Sequence, residues 1–144
     1  MRKHRAGQRE GGFTLVEILI VVVIIGLLAS LVGPALFKKV GSSRQKTAMA
    51  QISLIETALK TFRLDVGRYP TTEEGLKALI VQPEGLRFWD GPYLEKDLPL
   101  DPWGNPYVYK CPGETTDYEI TSHGGDGKPG GEGENKDVIS WQIK

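Results

Sequence analysis

Apolar and polar positions divide the chain into stretches of different period. From Ile18 to Phe37, ILIVVVIIGLLASLVGPALF, 20 consecutive residues carry no ionisable side chain. As a helix rising about 1.5 Å per residue, such a run covers the roughly 30 Å hydrocarbon layer of a membrane. Further on, Ala48, Ile52, Ile55, Leu59, Phe62 and Val66 recur at intervals of 4, 3, 4, 3 and 4, the spacing of one helical face. Arg44, Gln45, Gln51, Lys60 and Arg63 fall on the opposite face, and Gly67 is the residue type that ends a helix in the left-handed conformation. Together the two patterns predict one helix running to about Asp65, interrupted where Pro34 removes a hydrogen bond and Gly41 weakens the turn.

After Gly67 the period changes. Thr71-Thr72-Glu73-Glu74 has the spacing of a capping box, Leu76, Leu79 and Ile80 give an apolar side, and Pro83 closes a predicted second, shorter helix. Gln82 to Pro106 is punctuated by Pro, Gly and Asp and reads as a long loop held by Phe88, Trp89, Tyr93, Leu98 and Trp103. Tyr107–Lys110 and Tyr118–Thr121 alternate across a turn at Pro112-Gly113-Glu114, which predicts a hairpin, and Val138–Trp141 supplies a third strand. Three strands against one helix bury a single small core of the α+β class, with no internal repeat or Gly/Ser linker to mark a second one.

Charge and composition exclude more than they assign. The whole chain balances 18 basic against 18 acidic side chains, but residues 1–12 hold Arg2, Lys3, Arg5 and Arg9 against Glu10, so the remainder has 14 basic and 17 acidic groups. No basic nucleic-acid footprint is left there. The single cysteine, Cys111, excludes an intramolecular disulfide and a cysteine-rich zinc site. His4 and His123 stand apart from any partner motif, and no phosphate-binding loop, nucleophile elbow or paired-carboxylate motif is present, so no catalytic residue is assigned. The apolar run is too long, and Ala29-Ser30-Leu31 too poor a cleavage site, for a secretory signal peptide; a membrane anchor is expected. Basic residues flank it on both sides, and only the short leader favours a cytoplasmic N-terminus.

Glu17 is the anomaly of that anchor. A carboxylate at mid-membrane depth costs on the order of 2–3 kcal/mol even on lenient insertion scales, and nothing basic lies within the run. If the chain were cut between Gly12 and Phe13, a free α-amino group would arise at the same depth and would pair with it. The segment Glu10-Gly11-Gly12-Phe13-Thr14-Leu15-Val16-Glu17-Ile18 resembles the leader and mature N-terminus of type IV pilins and type II secretion pseudopilins. The resemblance implies cleavage after Gly12 by an inner-membrane prepilin peptidase, methylation of the Phe13 amine, and an assembly role for Glu17 against a neighbouring subunit's N-terminus.

The resemblance continues through Gly67-Arg68-Tyr69-Pro70-Thr71-Thr72-Glu73-Glu74-Gly75-Leu76, Asp101-Pro102-Trp103-Gly104-Asn105-Pro106-Tyr107 and Asp137-Val138-Ile139-Ser140-Trp141, where it is to the major pseudopilins. It implies a type IV pilin-like α+β fold in which a long N-terminal transmembrane helix packs on a small antiparallel sheet. The implied division is a cleaved leader, 1–12, a transmembrane and assembly helix, 13–37, and a periplasmic domain, 38–144. The implied function is structural: a non-enzymatic homopolymer in the periplasmic pseudopilus that drives protein export. Its expected partners are minor pseudopilins, the prepilin peptidase and an inner-membrane assembly platform. A type IV pilus subunit and a membrane-anchored periplasmic binding module are the alternatives.

One segment has its own chemistry. Between Ser122 and Asp137 lie six glycines and the carboxylates of Asp126, Glu132, Glu134 and Asp137, with almost no apolar side chain. By composition this is a solvated loop that something else must order. Hard cations take six to eight oxygens from carboxylates, amides and carbonyls, and glycines let a backbone present them. The resemblance implies calcium, bound by Asp126, by the backbone carbonyls of His123 and Lys128, and by Asp137, with Glu134 and Asn135 as further candidates.

Overall fold

A computed structural model describes residues 12–143; the expected leader up to residue 11 lies outside the described residues. The apolar run and the 3–4 stripe belong to one α-helix, α1, Leu15–Val66. The expected interruption does not occur, because one missing N–H bond at Pro34 and the glycine penalty of about 1 kcal/mol at Gly41 are set against a helix of 52 residues that propagates on both sides. Gly67 ends it, with φ +86° and its N–H donating to the Arg63 carbonyl at 2.8 Å.

The chain divides into two units, the first ending at Phe37 and the second beginning at Lys38. In the first, Leu15–Gly33 is long and apolar enough to cross a membrane, and none of it is buried. In the second, Ala48, Ile52, Ile55, Leu59 and Phe62 are at most 1% exposed, so the predicted stripe is the core face. Fully burying one such side chain is worth about 1.5–3 kcal/mol.

Opposite the stripe in the same core lies a three-stranded antiparallel sheet, β1 (Val108–Lys110), β2 (Glu119–Ser122) and β3 (Val138–Ile139), in the order β1-β2-β3. Tyr109 pairs with Ile120 and both are buried, while Val108 and Lys110 point outward, the alternation expected of a sheet with one wet face. β3 is shorter than predicted, since Ser140–Gln142 turn into a 3₁₀ helix and leave Trp141 exposed. Three tyrosines tie this layer across the core. Tyr107 donates to Gln51 at 2.6 Å, Tyr118 to Glu56 at 3.2 Å and Tyr109 to the Pro70 carbonyl at 2.9 Å. Burial pushes all three phenols above their ordinary range, which keeps them protonated and donating.

The predicted second helix forms only in part. Both capping-box bonds are made, Glu74 N–H to Thr71 Oγ1 at 3.2 Å and Thr71 N–H to Glu74 Oε2 at 2.8 Å, but Gly75 takes φ +61° and only a 3₁₀ turn, Leu76–Leu79, follows. Thr72 Oγ1 then exchanges bonds with the Cys111 backbone, pinning this turn to the hairpin. In the long loop, Trp89 donates to the Ala78 carbonyl and Tyr93 stacks edge-on with both Phe62 and Trp89. Leu98 and Trp103 pack on the core as expected, whereas Phe88 holds nothing: it is 80% exposed.

Arg68 grips Glu74 with two bonds of 2.7 Å and, with the Thr71 backbone N–H, holds that carboxyl down at about 2 from an ordinary 4.5. A lowered folded-state value stabilises the fold above the unfolded value and loses that effect as pH falls through the folded one. For a soluble fragment spanning 38–144, Glu74→Gln is expected to cost about 1 kcal/mol at neutral pH, the pair being partly exposed. Thermal melts should show the two proteins converging as the pH falls from 4.5 towards 2.

Candidate functional site

Two stretches carry the sequence-predicted site residues. At the start of the first unit, Gly12, Phe13 and Thr14 precede the helix, and Phe13 is 83% exposed. Among the described residues, a Cβ added to Gly12 would meet nothing within 4 Å. Glu17, in the first turn of α1, accepts from the Thr14 N–H at 2.7 Å and the Thr14 hydroxyl at 2.9 Å, while its own N–H donates to Thr14 Oγ1 at 3.2 Å. Thr14 and Glu17 thus form a capping box that closes two orphan donors of the helix N-terminus. The same T-x-x-E spacing stands in the sequence at 14–17 and at 71–74, and both copies make a capping box.

In the second unit the predicted loop is held by residues that pattern reasoning passed over. Asp101 is buried at 4% exposure. Its Oδ1 accepts from the N–H groups of Trp103 at 3.0 Å and Asn105 at 2.8 Å, and its Oδ2 from the Ser122 hydroxyl at 2.6 Å. Asp101 N–H to the Asn105 carbonyl, at 2.8 Å, closes the turn. Asn105 Nδ2 then donates to the Gly124 carbonyl at 3.1 Å, so the Asp101–Asn105 turn fixes where the glycine-rich loop begins. The available signal was Asp-Pro-Trp-Gly-Asn itself, an Asp opening a turn that it caps.

The loop doubles back on itself through two 3₁₀ turns, Gly124–Asp126 and Gly133–Asn135. His123, half-buried, precedes the first turn, and its Nδ1 lies 3.3 Å from Asp137 Oδ1. Asp137 Oδ2 accepts from the Gly130 N–H at 2.9 Å. Asp126 is exposed and accepts from the Lys128 N–H at 3.1 Å, after Gly127 has turned the chain at φ +65°. Glu134 is drawn to α1, where it meets Arg44 at 3.2 Å and packs over Gly41, and Gln45 Nε2 donates to the Gly133 carbonyl. The six glycines have a steric purpose at two places. A Cβ on Gly124 would lie 2.8 Å from the carbonyl oxygens of Glu134 and Asn135, and one on Gly131 would lie 2.6 Å from that of Asn135; both glycines also have positive φ.

These contacts test whether the loop suits a hard cation. Among the described residues no three His, Cys, Asp or Glu side chains gather as a metal cluster. The atoms close around Gly124, Gly125 and Gly131 include oxygens, the carbonyls of Glu134 and Asn135 and the side-chain Oδ1 of Asn135, alongside Asn135 carbons and the Trp103 ring. Carbonyl and amide oxygens with one or two carboxylates are calcium donors, not zinc donors. The donor chemistry fits, with Glu134's carboxylate committed to Arg44.

Both stretches fall within matches to known proteins. Residues 7–33 match the prokaryotic N-terminal methylation motif, and residues 35–141 match the model of type II secretion system protein G. The type II secretion system core protein G of Vibrio cholerae is 41% identical over all of this chain and 98% of its own, and that of Aeromonas hydrophila is 43% identical over 95% and 96%. A crystal structure of the major pseudopilin from the type 2 secretion system of enterohaemorrhagic Escherichia coli, 40% identical, matches 71% of this chain and 90% of its own with a TM-score of 0.60. With matches of that extent the chain belongs to the protein G family of the type II secretion system, the family of the major pseudopilin, a structural subunit and not an enzyme.

Proposed function

We propose that the chain is made with a basic leader, residues 1–12, is cut between Gly12 and Phe13 by a prepilin peptidase and methylated on the Phe13 amine, and then polymerises. Residues 13–37 anchor it in the bacterial inner membrane with the N-terminus cytoplasmic, and 38–144 lie in the periplasm. Assembly into the pseudopilus of the secretion machinery then proceeds through the anchors, with minor pseudopilins and an inner-membrane assembly platform as partners. The observation that carries this reading is the wholly unburied apolar helix Leu15–Gly33 with a carboxylate in its first turn. Such a surface needs lipid before assembly and neighbouring helices after it. Both Thr14 bonds go to Glu17 Oε2, and among the described residues Oε1 is left for a neighbour's charged amine.

Because nothing among the described residues crowds Gly12, Gly12→Val is expected to block cleavage through the peptidase. Intact-mass analysis should find the leader still attached, and normal maturation would contradict the assignment. Glu17→Leu should insert and be cleaved at wild-type levels, since it removes a charge from the edge of the apolar span. Its yield of sheared filament should nonetheless fall sharply; wild-type yield would rule out the pairing.

We also propose that the loop binds calcium through Asp126 and Asp137 and the backbone carbonyls of His123 and Lys128, with Asn135 a further donor and Glu134 an unfavoured one. The ion supplies positive charge that offsets carboxylate repulsion and the ordering cost of the glycines. An ion that binds only the folded form stabilises it by about 2.7 kcal/mol at a hundredfold excess over Kd. Calcium should therefore raise the melting temperature of a 38–144 fragment relative to EDTA, magnesium should substitute poorly, and Asp126→Ala should abolish the difference. Coincident melting curves of the unmutated fragment in calcium and EDTA would show a solvated turn only.

A further inference from the structure

The loop between Pro83 and Tyr93 turns one aromatic side chain away from the core. Phe88 has φ +63°, a left-handed conformation that a bulky residue other than glycine adopts only at a cost, and its side chain is 80% exposed. It is held there from both sides. Upstream, Gln82 Nε2 donates to the Leu86 carbonyl at 2.8 Å; downstream, Trp89 donates to the Ala78 carbonyl at 2.8 Å and the Asp90 N–H to the Tyr93 hydroxyl at 3.0 Å. Leu86 and Trp89 pack on the core, so the backbone reversal at Phe88 is what aims its ring at solvent. Because the backbone that presents the ring is already held, only the side chain itself remains to be ordered on meeting a partner.

The same unit also carries a concave apolar surface of about 510 Å³ between α1 and residues 93–99. Its walls include Leu54, Ala58, Leu94 and Pro99, and Leu54 is 67% exposed although it sits on the helix beside the core stripe. A cavity of about 150 Å³ already accepts a benzene ring. The rim carries Glu95, Lys96 and Asp97, and the segment bearing the aromatic carries Arg87 before it and Asp90 after it, all exposed. Arg87 is complementary to Glu95 and Asp97, and Asp90 to Lys96. Phe88 is not among the residues that line the groove, so the knob of one copy can meet the groove of another head to tail.

We propose that Phe88 of one subunit docks in the Leu54–Pro99 groove of a second copy, a contact between globular domains that adds to the packing of the anchors. This rests on the assembly reading above. The bond is apolar at its centre, with the Arg87 and Asp90 charges setting orientation at the rim.

The test uses the full-length chain in cells with its secretion machinery, in a Cys111→Ser background so that introduced thiols stand alone. With Phe88→Cys and Leu54→Cys in the same chain, oxidation of sheared filament by a copper(II) complex should give a ladder of dimers, trimers and longer species. Either substitution alone should stop at dimers. In parallel, Phe88→Asn, which suits the left-handed conformation, should raise the melting temperature by about 2–5 °C while filament yield falls roughly tenfold or more. Filament whose double variant yields nothing beyond dimers overturns the docking, as does wild-type filament yield from Phe88→Asn. Failure of the assembly reading is seen separately, as absence of filament from the unmutated chain, and overturns both.

Discussion

A carboxylate withdrawn from water must be given other partners, and the second unit is organised around one such group, Asp101. Two backbone N–H groups and the Ser122 hydroxyl satisfy it without a countercharge. Ser122 is itself fully buried at the end of β2, and its Oγ also receives the Gly124 N–H, so sheet, turn and glycine-rich loop share one polar centre. Removing one member of a buried network leaves the others unsatisfied, each at about 1–3 kcal/mol. The loop proposed to hold calcium therefore inherits its position from a turn some 20 residues earlier in sequence.

Long-period features were legible in the sequence because they are one-dimensional. The Ala48–Phe62 stripe needs only helical spacing to declare its face, and Tyr109 opposite Ile120 needs only alternation. What failed were places where one residue's backbone overrode a correct pattern. Thr71 and Glu74 made their capping box, yet Gly75 at φ +61° ended the helix before it had one full turn. Phe88 looked like a core aromatic by type, and its reversed backbone placed it outside while Trp89 went in. Pro34 erred in the other direction, since a local helix breaker was outweighed by the helix on either side of it.

In the candidate loop the acids and glycines are legible in the sequence, but the residues that support them are not. Composition alone marks the glycines and acids of 122–137, and nothing in that segment names Asn105, Gln45 or Arg44, which reach it across 19, 88 and 90 residues of sequence. These contacts change what each acid is for. Glu134 and Asp126 have the same charge, but one is tethered to α1 and the other stands over its own turn with its charge exposed. Sequence reasoning treats the acids as a pool, whereas the fold assigns them separately.

Such division of labour also bears on Glu17. Its carboxylate first serves its own helix, accepting the two Thr14 donors, and this lowers the cost of keeping a charge at the edge of an apolar span. A group already satisfied locally tolerates the monomeric membrane state, and one bound through a single oxygen retains capacity for a second donor. The pairing inferred for assembly then need not rescue an abandoned charge; it has to improve on a hydrogen-bonded one. On that argument the proposed N-terminal pairing would select register between neighbouring helices more than supply their affinity, which would be left to side-chain packing along Leu15–Gly33.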